Sequence, residues 1–292
     1  MSDQAERCCQ VLGGRQTLFG ELLEKVAGRR SLGPLFIRQW EPLVYRTLSH
    51  ILRHIDALGF DSLLSDYIAF LHRPRDKSSL RFYLEFTEIC INTILYWVFA
   101  RQPSPLLVEK LLERTVSYLG DRGNRLALIW RTFSPVYSPS PLSGVTPLHF
   151  VAQSRQSDIL KILLQYGILE REHRPMSTIL IILFYPTPVG LVDDLESTQI
   201  VEEAKLCLGL CVRAMCRIHV AQIKARVSVR HKPLVSNWLD YIPVTRYREP
   251  CELLHLCRMS IRSCLLTTNG LPSGISSLPV PKSLQNYLNL ET

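Results

Sequence analysis

Apolar side chains in the first third of the chain recur at three- and four-residue steps. Over 41–71, Val44, Leu48, Ile51, Leu52, Ile55 and Leu58 mark one stripe, which is the period of a helix with one buried face, and Gly59 stops it. A second helical stretch over 80–101 is apolar nearly all round, with Phe82, Leu84, Phe86, Ile89, Ile91, Ile94, Leu95, Trp97, Val98 and Phe99, as the central helix of a bundle would be. Pro103 and Pro105 end it, because proline donates no backbone hydrogen bond and disfavours a helical residue before it. Further helices are predicted over 106–119 and 124–133. Ser134-Pro135 to Ser140-Pro141 then forms a proline-broken connector. No convincing strand-like alternation appears, so the fold class is all-α, beginning with a helical N-terminal region over 1–133.

At 292 residues, 47% of them hydrophobic and only 14 of them glycine, the chain has the means to bury a large core in one or two compact units. Its apolar runs are interrupted by Asn92 and Thr93 in one case and by Pro186 in another, too soon to span a bilayer. The first residues lack the apolar core of a signal peptide. A soluble protein inside the cell is expected, cytoplasmic or also nuclear. The nine cysteines are odd in number and sit mostly in apolar helical patterns, which suits reduced thiols acting as small buried hydrophobes. A zinc site built from Cys207, Cys211 and His219, with Cys251, Cys257 or His255, has no CxxC pair to support it, so no metal and no cofactor are expected.

The formal charge of +8 comes partly from a basic stretch with Arg213, Arg217, Lys224, Arg226, Arg230 and Lys232. A solvated helix face accounts for it as well as an acidic partner does. Nucleic-acid binding is not expected, because neither an RNA-recognition signature nor a zinc-finger spacing accompanies the charge. The sequence also holds no GxSxG, HExxH or phosphate-binding loop, so no catalytic residue is assigned.

After the connector comes Gly144-Val145-Thr146-Pro147-Leu148-His149-Phe150-Val151-Ala152, then Asp158-Ile159-Leu160-Lys161-Ile162-Leu163-Leu164-Gln165-Tyr166-Gly167. Thr146 is suited to cap a helix through its hydroxyl, and Pro147 to sit at the first helical position, where no amide bond is lost. His149 is suited to brace the turn, Leu148, Ile159, Leu163 and Leu164 to pack, and Gly167 to stop the second helix at positive φ. This segment resembles an ankyrin repeat over 143–175, with Arg155 standing where the family usually has a glycine between the two helices. One repeat cannot bury its own face. The flanks over 106–133 and 176–220 are therefore expected to act as degenerate repeats or caps in a short stack.

Two blocks near the end complete the pattern. Pro250-Cys251-Glu252-Leu253-Leu254-His255-Leu256-Cys257 runs on to Ile261, and Ile275 precedes Leu278-Pro279-Val280-Pro281-Lys282-Ser283-Leu284-Gln285-Asn286-Tyr287-Leu288. Leu253, Cys257 and Ile261 lie at i, i+4 and i+8, one stripe of a helix suited to docking in a groove. A plain amphipathic helix packing on its own fold would show the same spacing. Pro279 and Pro281 fix their own φ and hold the second block extended. Together the blocks resemble the elongin C box and the cullin-5 box of a three-helix SOCS box over 234–292, although Glu252 replaces the small residue the family more often has before the leucine.

With the ankyrin segment, the resemblance is to the ankyrin repeat and SOCS box family. It implies a non-catalytic adaptor that bridges a protein substrate to elongin B, elongin C, cullin-5 and its RING subunit for ubiquitination and proteasomal degradation. It also implies elongin C binding by Leu253, Leu256, Cys257 and Ile261, and cullin binding by Ile275, Leu278, Pro279, Val280 and Pro281. The alternative is a helical interaction scaffold, or a basic nucleic-acid binder, whose last helices merely finish the fold. The substrate is not legible in the sequence.

Overall fold

A computed structural model describes residues 147–172, 174–186, 197–227 and 232–291, together with residues 99, 105, 106, 108, 109, 112 and 113. All of these belong to one of two compact units into which the chain divides, Phe99–Phe133 with Gly144–Thr292. Most of the region over 1–133, with the signature residues Gly144 and Thr146, lies outside the described residues. Every regular element among the described residues is helical, so the all-α class holds.

Helix α1 (Pro147–Ser154) and helix α2 (Ser157–Gln165) pack against each other across a two-residue turn. Leu148, Phe150 and Val151 are buried on α1, and Ile159, Leu160, Ile162, Leu163 and Leu164 on α2. Helix α3 (Pro175–Phe184) lies on α1, helix α4 (Ser197–Ala214) lies on α2, and α3 contacts α4. A second helical pair therefore stacks on the first. It covers the apolar faces that one pair leaves open.

The turn between α1 and α2 shows how this chain manages without the usual glycine. Arg155 takes φ +54°, the left-handed conformation that an L residue rarely adopts. Its side chain is 4% exposed. The guanidinium donates to the Ile182 carbonyl at 3.2 Å, the Gln153 carbonyl at 2.8 Å and the Tyr185 carbonyl at 2.5 Å. Ile182 and Tyr185 are at the C-terminal end of α3, where carbonyls lack helical partners and the helix dipole is negative. Charge-assisted bonds to that end offset the local strain.

Helix α2 stops at Gly167, which has φ +77°. The Gly167 amide donates to the Leu164 carbonyl at 3.0 Å and the Ile168 amide to the Leu163 carbonyl at 3.1 Å, the two bonds of a Schellman stop. A Cβ built on Gly167 would lie 2.5 Å from Cδ1 of Leu266 and 2.9 Å from Cδ1 of Leu271. Glycine is thus required twice, for its backbone and for the close approach of the C-terminal segment. His149 reaches forward across the stack, its Nε2 lying 2.6 Å from the Ser177 hydroxyl near the start of α3, and burial lowers its pKa against a raising influence of Glu172.

Helix α5 (Val220–Arg226) and two 3-10 turns, Trp238–Tyr241 and Val244–Arg246, lead to the last three helices. These are α6 (Leu253–Thr267), α7 (Ser273–Ser276) and α8 (Lys282–Leu288). Leu271, Ile275 and Leu288 form their small core, with Ile261, Leu265, Leu266 and Leu278 packed against it.

Candidate docking surface

Helix α6 is inverted relative to an ordinary surface helix. Its buried residues are His255, Arg258 and Arg262, at i, i+3 and i+7 along one stripe. Its outward face carries Leu253 at 76% exposure, Leu254 at 53% and Leu256 at 43%, with Cys257 and Cys264 also exposed. Had α6 simply finished the fold, the leucines would be the buried face and the arginines the solvated one.

The inward basic side chains are held because three helices end against them. His255 lies with Nε2 3.0 Å from the carbonyl of Met215, the residue directly after α4. Arg258 donates to the Tyr287 carbonyl at 3.2 Å, at the end of α8, and its guanidinium sits 4.0 Å from the Tyr287 ring centroid. Arg262, fully buried, donates to the Leu164 carbonyl in the last turn of α2 at 2.5 Å and to the Leu288 carbonyl at 3.2 Å. It also pairs with Glu170, Nε to Oε1 2.7 Å. The carbonyl ends of α2, α4 and α8 thus converge on one basic stripe, which satisfies acceptors that helix geometry leaves open.

His255 is neutral in this setting. The Met215 carbonyl only accepts and the Arg258 guanidinium, 2.8 Å from Nδ1, only donates, so the ring proton sits on Nε2. Burial, reinforced by the charges of Arg246 and Arg258, brings its pKa down to about 4.

The start of α6 is held differently. Glu252 occupies the cap position with an extended backbone and makes no side-chain cap bond. Its carboxylate instead pairs with Arg246 and accepts from the Thr245 hydroxyl at 2.7 Å. Those bonds, Arg246 first, bring its pKa down to about 2. The departure at Glu252 therefore gives up the side-chain cap and gains a tie to the preceding turn.

The SOCS box family model matches residues 249–289. Ankyrin repeat and SOCS box protein 17 of Bos taurus is 56% identical over the full length of both chains, and the proteins of that name from Mus musculus and Homo sapiens are each 54% identical over the same full extent. The chain belongs to the ankyrin repeat and SOCS box family. No solved structure matches it.

Within this family frame, the residues singled out from the sequence divide into two groups. Leu253, Leu256 and Cys257 stand on the open face of α6, whereas Ile261 is half-buried against the small core. In the second block Ile275 is 2% exposed. It packs with Leu271 and Leu288 in the small core, placed there by the short α7. Leu278 is half-buried on that same core, Val280 is half-buried, and Pro279 and Pro281 are exposed. Pro281 is the cap of α8. Leu254 and Leu284, not singled out from the sequence, are exposed as well. Leu254 falls outside the strict four-residue step and stands four residues before the buried Arg258, at the edge of the open face.

The cysteines also divide. Cys207 and Cys211 are buried on α4, where burial raises both thiols, that of Cys211 to about 12, but Cys257 and Cys264 are exposed. Small size on an open face, not burial, is what those two share. Among the described residues no group of three His, Cys, Asp or Glu is placed to hold a metal, and no helix is long and apolar enough to cross a membrane.

Proposed function

We propose that this chain is a non-catalytic substrate adaptor of a ubiquitin ligase, docking elongin C, in complex with elongin B, through the open face of α6. The observation that carries the reading is the inverted helix: Leu253 at 76% and Leu256 at 43% exposure lie opposite three buried basic side chains, with Leu254, 53% exposed, on the flank. Contiguous apolar surface of this kind marks a site that another protein covers. Leu253, Leu256 and Cys257 would enter the partner's groove, with Ile261 at the edge. Leu254 would extend the same face. The compact Cys257 would allow close backbone approach, where a larger side chain would hold the helices apart.

Cullin-5 and its RING subunit would join through the segment around Leu278, Pro279, Val280 and Pro281, with Ile275 setting its shape from inside. The helical stack and the region before it would carry a protein substrate. Transfer of ubiquitin would then rest on proximity, the adaptor raising the effective concentration of a substrate lysine near the charged conjugating enzyme. The proposed setting is the cytoplasm.

The test is co-expression of the full chain with and without elongins B and C. An adaptor recovers both elongins in stoichiometric amount and loses solubility without them. A soluble lone monomer that ignores the elongins would instead support the scaffold reading.

A further inference from the structure

We infer that Arg262 is a positioning residue, which fixes the direction in which the helical stack leaves the docking helix and so fixes where a bound substrate stands relative to the transferred ubiquitin. The inference rests on the adaptor reading above. Its physical basis is the convergence of three elements on one guanidinium. From α6, Arg262 reaches the Leu164 carbonyl of α2 at 2.5 Å, the Leu288 carbonyl of α8 at 3.2 Å and the Glu170 carboxylate, which lies in the turn that follows α2. Its side chain is 0% exposed and that of Glu170 10%.

The neighbouring contacts share this arrangement. Arg171, next to Glu170, donates to the Leu266 carbonyl at 3.2 Å and to the Asn269 side-chain oxygen at 3.0 Å, near the end of α6. Gln165 donates to the Asn289 carbonyl at 3.0 Å, and Leu266 and Leu271 close on Gly167. Seen from the stack, one short stretch from Leu164 to Arg171 grips the docking helix and the last helix together. A planar fork of five donors serves three acceptors in fixed directions, which the single ammonium of lysine cannot do. Elongin docking uses the opposite face of α6, so joint and docking surface are separable on one helix.

The experiment uses the full chain, co-purified with elongins B and C, as wild type, Arg262→Lys, Arg262→Met and Glu170→Gln. Spin labels carried by non-natural amino acids replace the exposed Arg174 and Ser283, and their distance distribution is read by double electron–electron resonance. The same complexes, with cullin-5 and its RING subunit, are assayed for self-ubiquitination, and the modified lysines are mapped by mass spectrometry. Arg262→Lys should keep its elongins yet show a shifted, broadened distance distribution and a changed set of modified lysines, with Glu170→Gln intermediate. If Arg262→Met fails to fold, the lysine and glutamine variants still decide.

A distribution as narrow as wild type in both of those variants overturns the proposal. So does a broadened distribution with an unchanged lysine pattern, which would leave Arg262 a folding residue only. Failure of the adaptor reading is read separately, in a wild-type chain that recovers no elongin and supports no transfer.

Discussion

Leu253→Ala separates docking from stability more cleanly than any other change, because Leu253 contributes almost nothing to the folded chain by itself. It is 76% exposed, and a truncation there should move stability by no more than about 0.5 kcal/mol. Full burial of a leucine side chain is worth about 1.5–3 kcal/mol. A partner that covers the exposed three quarters therefore gains about 1–2 kcal/mol from this residue, or roughly a 5–30-fold change in Kd. Competition binding against the wild-type complex with elongins B and C measures the second number, and the denaturant midpoint measures the first. Ile275→Ala is the reference: at 2% exposure in the small core, it should cost about 2–5 kcal/mol of stability. Unchanged elongin affinity in Leu253→Ala, or a stability loss as large as that of Ile275→Ala, would refute the assignment of α6 as an outward docking helix.

Arg155→Gly restores the residue usual in an ankyrin turn and relieves the +54° φ, yet it removes the hydrogen bonds to one buried and two part-buried carbonyls; a net loss of about 1–3 kcal/mol is expected by denaturant unfolding. Gly167→Ala meets both the +77° φ and Leu266 Cδ1 at 2.5 Å, so a loss of about 2–4 kcal/mol should appear in the same assay. His255 has its folded pKa lowered to about 4 from an ordinary 6.5, so the unfolded chain takes up the proton first. Its contribution is complete above about pH 6.5 and falls as pH drops toward 4. His255→Gln should flatten that part of the stability–pH curve, and an unchanged slope would place the effect elsewhere.

Some of this was legible before any coordinates. Leu253, Cys257 and Ile261 could be put on one stripe because helical spacing is a local property, and Pro147 and Gly167 carry their backbone preferences wherever they stand. Which way the stripe faces was not legible. That depends on where the ends of α2, α4 and α8 arrive, and the residues concerned lie up to 98 positions away along the chain, as from Leu164 to Arg262. Basic residues at helical spacing read as a solvated face; Arg217 and Lys224 do lie outside, but Arg258 and Arg262 lie inside. The burial of Ile275 was not legible for a related reason: a motif does not show whether a residue faces out or holds a loop from inside.

The outward leucines of α6 have a consequence for the life of the chain in a cell. Chaperones and degradation factors identify failed folding by apolar side chains held in water. A correctly folded copy without its partner shows them that same signal. Its abundance would then follow that of the elongins rather than its own rate of synthesis, and the surplus would be removed.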